Sequence, residues 1–125
     1  MLFRSKTARA YGRDDGKSPY RFYYDQLGFK MKRSGRVGVF KEAREQPDDD
    51  VTTDYILDRC VIFGGVNKVV DEILKMREEI GDFGEIVYAG MDWVDEKLAK
   101  RSMELMAEQV MPRVNDAIGR SKAAA

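Results

Sequence analysis

The residues able to do chemistry are few and fall at two places in the 125-residue chain. Gly64-Gly65 stand just ahead of a stretch with helical apolar spacing. Backbone amides opening a helix there could gather around an anion such as a phosphate. A glycine pair before a helix also makes a tight turn with no ligand, and that is the plainer reading. Met91-Asp92-Trp93 close a second apolar run. Trp93 could wall an apolar ligand, or anchor packing while Asp92 caps the next helix. Asp48-Asp49-Asp50 are adjacent, and three neighbouring carboxylates in an extended loop do not converge on one metal ion. They read as a solvated break. Lys30, Lys32, Arg33 and Arg36 form a patch that could seek phosphate, although ordinary surface charge explains it as simply. Met103, Met106 and Met111 could offer an adaptable binding surface, but such a stripe is more often core.

Composition removes several classes of chemistry. There is no histidine, so neither a Ser-His-Asp nor a Cys-His site can be built, and the commonest metal ligand is missing. No residue stands out as a catalytic base, and no metal site is expected. Cys60 is the single cysteine, which excludes an internal disulfide and suits a reducing, cytoplasmic compartment. Lys plus Arg and Asp plus Glu balance at 22 each. No global field therefore draws the chain to nucleic acid or an anionic membrane. Residues 1–50 nevertheless carry a balance of +4 and residues 51–125 a balance of −4. No apolar run approaches the roughly 20 residues a membrane span needs. The opening Met1–Ser5 is not a signal peptide, and it reads as an artificial or truncated beginning.

Two regions must position these residues. Residues 1–50 read as irregular and turn-rich. Arg13–Pro19 is turn-forming, Tyr20, Phe22, Tyr23 and Tyr24 need something to pack on, and Gly28, Gly35 and Gly38 interrupt a long helix. Residues 51–125 are more regular. Thr52 or Thr53 caps a short helix with Tyr55, Ile56 and Leu57. Cys60–Phe63 reads as a strand covered on both faces. Asn67 is a candidate N-cap for an amphipathic helix carrying Val66, Val69, Val70, Ile73, Leu74 and Ile80, with Gly81 as its C-cap. Ile86–Ala89 reads as a second strand, and Asp92 or Asp95 caps a helix with Leu98, Met103, Leu105, Met106, Val110 and Met111. That helix should kink or stop near Pro112. Strand, helix, strand, helix predicts two parallel neighbours with a right-handed crossover. A two-stranded parallel sheet is not a stable unit, so strands must come from residues 1–50, another chain or a longer parent protein; otherwise exposed edges and patches predict a homo-oligomer or a loosely packed monomer.

The runs Val61–Val69, Gly81–Trp93 and Arg101–Pro112 resemble, in this order, the C-terminal end of the bacterial luciferase-like flavin-dependent monooxygenases. The resemblance covers roughly residues 51–115. It departs where family members often place Pro and an acidic residue after the glycine and this chain has Val66 and Asn67. The fold it implies is α/β, a C-terminal βαβα portion of a (β/α)8 TIM-type barrel, incomplete here because such a barrel takes about 250 residues. The function it implies is a fragment of an enzyme that oxidises a small organic substrate with reduced FMN and O2, inactive alone, with a deazaflavin as variant cofactor. Gly64 and Gly65 would then belong to the cofactor site, and Met91, Asp92 and Trp93 to the substrate pocket. The rival expectation is a non-enzymatic α/β module that completes its sheet with a partner.

Overall fold

A computed structural model describes residues 5–91 and 94–124. The elements in chain order are α1 (Ser5–Arg9), a π turn (Ala10–Asp14), α2 (Pro19–Arg33), two 3₁₀ turns (Val37–Phe40 and Asp48–Asp50), α3 (Thr53–Cys60), α4 (Val66–Ile80), α5 (Glu96–Leu105), a second π turn (Met106–Val110) and α6 (Met111–Ala124). The chain divides into two compact units, one of residues 9–62 and one of residues 63–125 together with residues 1–8.

In the unit of residues 9–62, α2 starts where Ser18 accepts a hydrogen bond from the Arg21 amide (3.2 Å) and Pro19 presets the first turn. Gly28 lies inside α2 and does not interrupt it, because the helix backbone there suits any residue and Ile56 packs over the bare Cα. Gly35, with φ 70°, ends the helix in the left-handed conformation that glycine adopts without penalty. Thr52 caps α3 as expected, its hydroxyl accepting from the Tyr55 amide at 3.1 Å. Val37, Val51 and Ile56 form one buried cluster, with Tyr24, Phe40 and Tyr55 packed against it, and Tyr20 and Leu57 are buried as well.

In the other unit, α4 packs against the second π turn and α6. Val69 and Ile73 are buried as the helical spacing predicts, whereas Ile80 at the end of the stripe is exposed. Asp95 is the cap of α5, accepting from the Leu98 amide at 3.0 Å. The buried face of α5 is Ala99 and Ser102, and Met103 points to water, so the methionine stripe is not the core stripe expected. The helix neither stops nor breaks at Pro112. The five residues before Met111 widen into a π turn, with the Met111 amide reaching the Met106 carbonyl. A wider turn gives a proline ring, which lacks an N–H, a place in a continuing helix.

The expected α/β barrel portion is not what the chain forms. Apart from a single-residue β-bridge at Gly64, no described residue lies in a strand. Cys60 belongs to the last turn of α3, and the Val61 amide bonds the Leu57 carbonyl (3.1 Å), so it is unavailable to a strand ladder. Ile86–Ala89 is irregular, with Val87 84% exposed. The parallel pairing of Val61–Phe63 with Ile86–Ala89 is therefore absent. Two short apolar runs supply too few hydrogen-bonding neighbours to hold a parallel sheet, and the cap of α3 takes the Val61 amide.

Candidate functional site

The sequence places its candidate anion site at the start of α4, and the local backbone there has distinctive geometry. Phe63 is buried and Gly64 follows with φ 155°, a value side-chain-bearing residues rarely adopt. A Cβ at Gly64 would lie 2.8 Å from Cδ of Lys68, so the glycine leaves room for the lysine stem to fold back over it. The Lys68 ammonium then rests 4.6 Å from the centre of the Phe63 ring, where the ring's negative face attracts a cation. Gly65 is the N-cap residue and contributes no side-chain oxygen, so the first-turn amides are not capped by a side chain. Asn67, expected as the cap, instead sits inside the first turn and accepts a hydrogen bond from Arg113 Nη1 at 2.8 Å. An uncapped helix start carries partial positive charge, and Lys68 and Arg113 add two full charges beside it.

Sequence reasoning named Gly64 and Gly65 but missed both cations. Lys68 was within reach of the sequence, because it falls in the first turn of the helix that the glycine pair precedes. Arg113 was not, since 46 residues separate it from Asn67. Of the expected substrate-pocket residues, Met91 is half-buried in the irregular segment before α5. Asp92 and Trp93 lie outside the described residues. Near them, Tyr88 shares a 2.7 Å hydrogen bond with the buried Ser102 hydroxyl, which fixes the segment leading to Met91 onto α5. That tie carries no motif in the sequence.

The unit of residues 9–62 holds a different constellation. Arg13 forks onto Asp58 through Nε (2.5 Å) and Nη2 (2.9 Å) and reaches Asp14 through Nη1 (2.8 Å). Arg21 donates to the Arg13 carbonyl (2.7 Å) and pairs with Asp54. These contacts push the Arg13 guanidinium further up from its already high range, and hydrogen bonding to it holds the Asp58 and Asp14 carboxyls below theirs. Every charge here has a partner of opposite sign, which is the arrangement of a structural clamp. Cys60 is exposed, and partial burial of its thiol raises the pKa, away from the reactive thiolate. Among the described residues no three acidic or thiol side chains gather as metal ligands, and no helix is long and apolar enough to cross a membrane.

Neither a protein-family model nor a solved structure matches the chain. Two characterised proteins are similar to parts of it. Over 60 residues the chain is 37% identical to 4-hydroxyprotoasukamycin monooxygenase of Streptomyces nodosus subsp. asukaensis, covering 48% of this chain and 16% of that protein. Over 74 residues it is 32% identical to limonene 1,2-monooxygenase of Rhodococcus erythropolis, covering 58% of this chain and 19% of that protein. The chain thus spans less than a fifth of the length of either relative. Its distant relatives are proteins named as monooxygenases.

Proposed function

We propose that this chain is a portion of a flavin-dependent monooxygenase of the luciferase-like kind, contributing the phosphate end of the cofactor site rather than a complete active centre. The similarity to two proteins named as monooxygenases is the observation that carries this reading. The start of α4 supports it, because the residues there suit the phosphate of FMN. Uncapped first-turn amides, the glycine-opened approach at Gly64 and Gly65, and the cations of Lys68 and Arg113 are the donor set a phosphate monoester takes. When bound, reduced flavin supplies the activation of O2. The chain's own residues hold and orient: Lys68 and Arg113 neutralise the phosphate, and Gly64 keeps side-chain bulk away from it. Met91, with Asp92 and Trp93, belongs in this reading to the wall of a pocket for a small organic substrate.

An isolated portion with only the phosphate end holds the cofactor weakly. In a fluorescence titration at micromolar flavin, the chain is expected to bind FMN no more tightly than a nonspecific control. At millimolar concentration, FMN and inorganic phosphate should both shift the backbone amide resonances of Gly65–Lys68, and Lys68→Ala should reduce that shift several-fold. Amide shifts absent at Gly65–Lys68, or equal for riboflavin without its phosphate, would remove the placement.

A further inference from the structure

We propose that the outer face of α2, with the groove beside it, docks a protein segment that carries acidic residues around an apolar anchor. This inference is independent of the flavin reading. α2 turns Tyr20 and Gly28 into its own unit and leaves Phe22 (69% exposed) and Phe29 (63% exposed) outside. The two rings are seven residues apart and so lie in line on one helix face, two turns from each other. Single exposed apolar residues are ordinary on protein surfaces, but two in line on one helix face, one of them lining a groove, make a patch. The groove has a volume of about 390 Å³. Its floor is apolar, made of Gly28, Val51 and Ile56, and a Cβ on Gly28 would come within 3.0 Å of Ile56 Cδ1. Glycine therefore lets Ile56 pack close against the helix at the floor. Phe29 lines one wall, and Asp25 and Lys32 stand two turns apart along it.

Charge decides the partner. Lys30, Lys32, Arg33 and Arg36 are all exposed, and among the described residues none of the four meets a carboxylate. In the same unit Arg13, Arg21, Arg59 and Lys41 are each paired. Cations in the last turn do favour the helix dipole, yet that leaves their outward charge unopposed. Lys32 lines the groove itself, and the other three follow one another closely in sequence at the same end of α2, so the charge there is positive. The partner is therefore anionic next to Phe29 and Lys32. It is not uniformly anionic, because Asp25, whose carboxylate accepts from the Thr53 hydroxyl at 2.8 Å, sits at the other end of the groove. A polyanion or an anionic bilayer would press like charge against Asp25. A peptide can set an apolar side chain on the Gly28 floor, direct an acidic residue to Lys32 and leave Asp25 alone.

The test is selection of a random twelve-residue peptide library displayed on phage against the whole 125-residue chain. Enriched peptides are expected to carry one aromatic or leucine anchor flanked by Asp or Glu. Labelled copies, measured by fluorescence anisotropy, should lose at least tenfold in affinity for Phe29→Ala and for Lys32→Glu, with far-UV circular dichroism unchanged. Lys75→Glu on α4 should leave affinity as it was. A peptide with its acidic residue changed to Lys should regain binding to Lys32→Glu. The proposal is overturned if no acidic apolar class is enriched, if both variants bind like the parent, or if phosphatidylserine vesicles or single-stranded oligouridine bind the chain more tightly than the selected peptides.

Discussion

The unit of residues 9–62 and the unit built around α4, α5 and α6 are both helical, but they are held in different ways. In the first, ion pairs join residues distant in sequence: Arg13 to Asp58, Arg21 to Asp54, Arg59 to Glu42. In the second, most pairs are local, as in Lys75–Glu79, Arg77–Asp82, Arg101–Glu104 and Asp116–Arg120. Local pairs stabilise a helix that has already formed, by a few tenths of a kcal/mol each. Long-range forks specify which helices meet and at what register, because a guanidinium binds a carboxylate in one plane. The first unit thus carries its own instructions for assembly. Exposed apolar surface does not separate the units, since Phe22, Phe29 and Val39 of the first lie in water as do Ile80, Val87 and Met103 of the second.

Core truncation should test this contrast most sharply. Leu57 is fully buried in the first unit and Val110 in the second. Leu57→Ala is expected to cost about 3 kcal/mol, from lost transfer energy plus the cavity left behind. Val110→Ala removes less and should cost about 2 kcal/mol. Hydrogen exchange of amides in α3 and in α6 reports the two sites separately. A smaller loss at Leu57 than at Val110 would reverse the comparison.

The polar ties should rank next. Arg13→Ala removes a side chain 15% exposed that holds two carboxylates at once, and the loss is expected near 1–2 kcal/mol after solvent screening. Arg120→Ala, which breaks the exposed Asp116 pair on α6, should change stability by under about 0.5 kcal/mol. Ser102→Ala removes the hydrogen-bond partner of Tyr88 and should cost about 1 kcal/mol, with faster exchange near Tyr88 as its signature. Equal losses for Arg13 and Arg120 in urea denaturation would mean that the long-range fork specifies nothing.

The parts of this fold that were legible share one property: they are set within a few residues. The α4 stripe through Val69 and Ile73 and Gly81 at its end with φ 98° follow from spacing, and spacing narrows the caps to Thr52 or Thr53 and Asp92 or Asp95, of which Thr52 and Asp95 do the capping. Cys60–Phe63 and Ile86–Ala89 were misread because a short apolar run is compatible with a strand, a helix end or an exposed loop, and only neighbours decide among them. α2 was missed because its outward face carries Phe22 and Phe29, which blurs the amphipathic pattern, and because Gly28 reads as a breaker. At the candidate site, the glycines were legible from the turn they make. Arg113 was not, since its position beside Asn67 depends on how α4 and α6 pack.

Acid should separate the two units by the smallest margin. In the first, hydrogen bonds from Arg13 hold both Asp58 and Asp14 below the ordinary carboxylate value of 3.8, and Arg9 adds to the effect on Asp14. In the second, Asp82 is held down by Arg77, with Lys122 contributing at 3.7 Å. A carboxyl whose folded pKa is depressed contributes stability that is whole above its unfolded pKa and is lost as pH falls through the folded one. All three groups therefore act in the same direction: stability is flat from neutral pH to about 5 and declines below about 4. Among the described residues the first unit has two such groups on one arginine and the second has one, so the decline should be steeper at α3 than at α4. Arg13→Ala returns Asp58 and Asp14 toward ordinary titration and should flatten the acid limb measured at α3, leaving that at α4 unchanged. Urea denaturation at pH 6, 4 and 3, read by exchange at the two helices, gives both slopes. An acid limb at α3 that survives Arg13→Ala would place the pH dependence outside the fork.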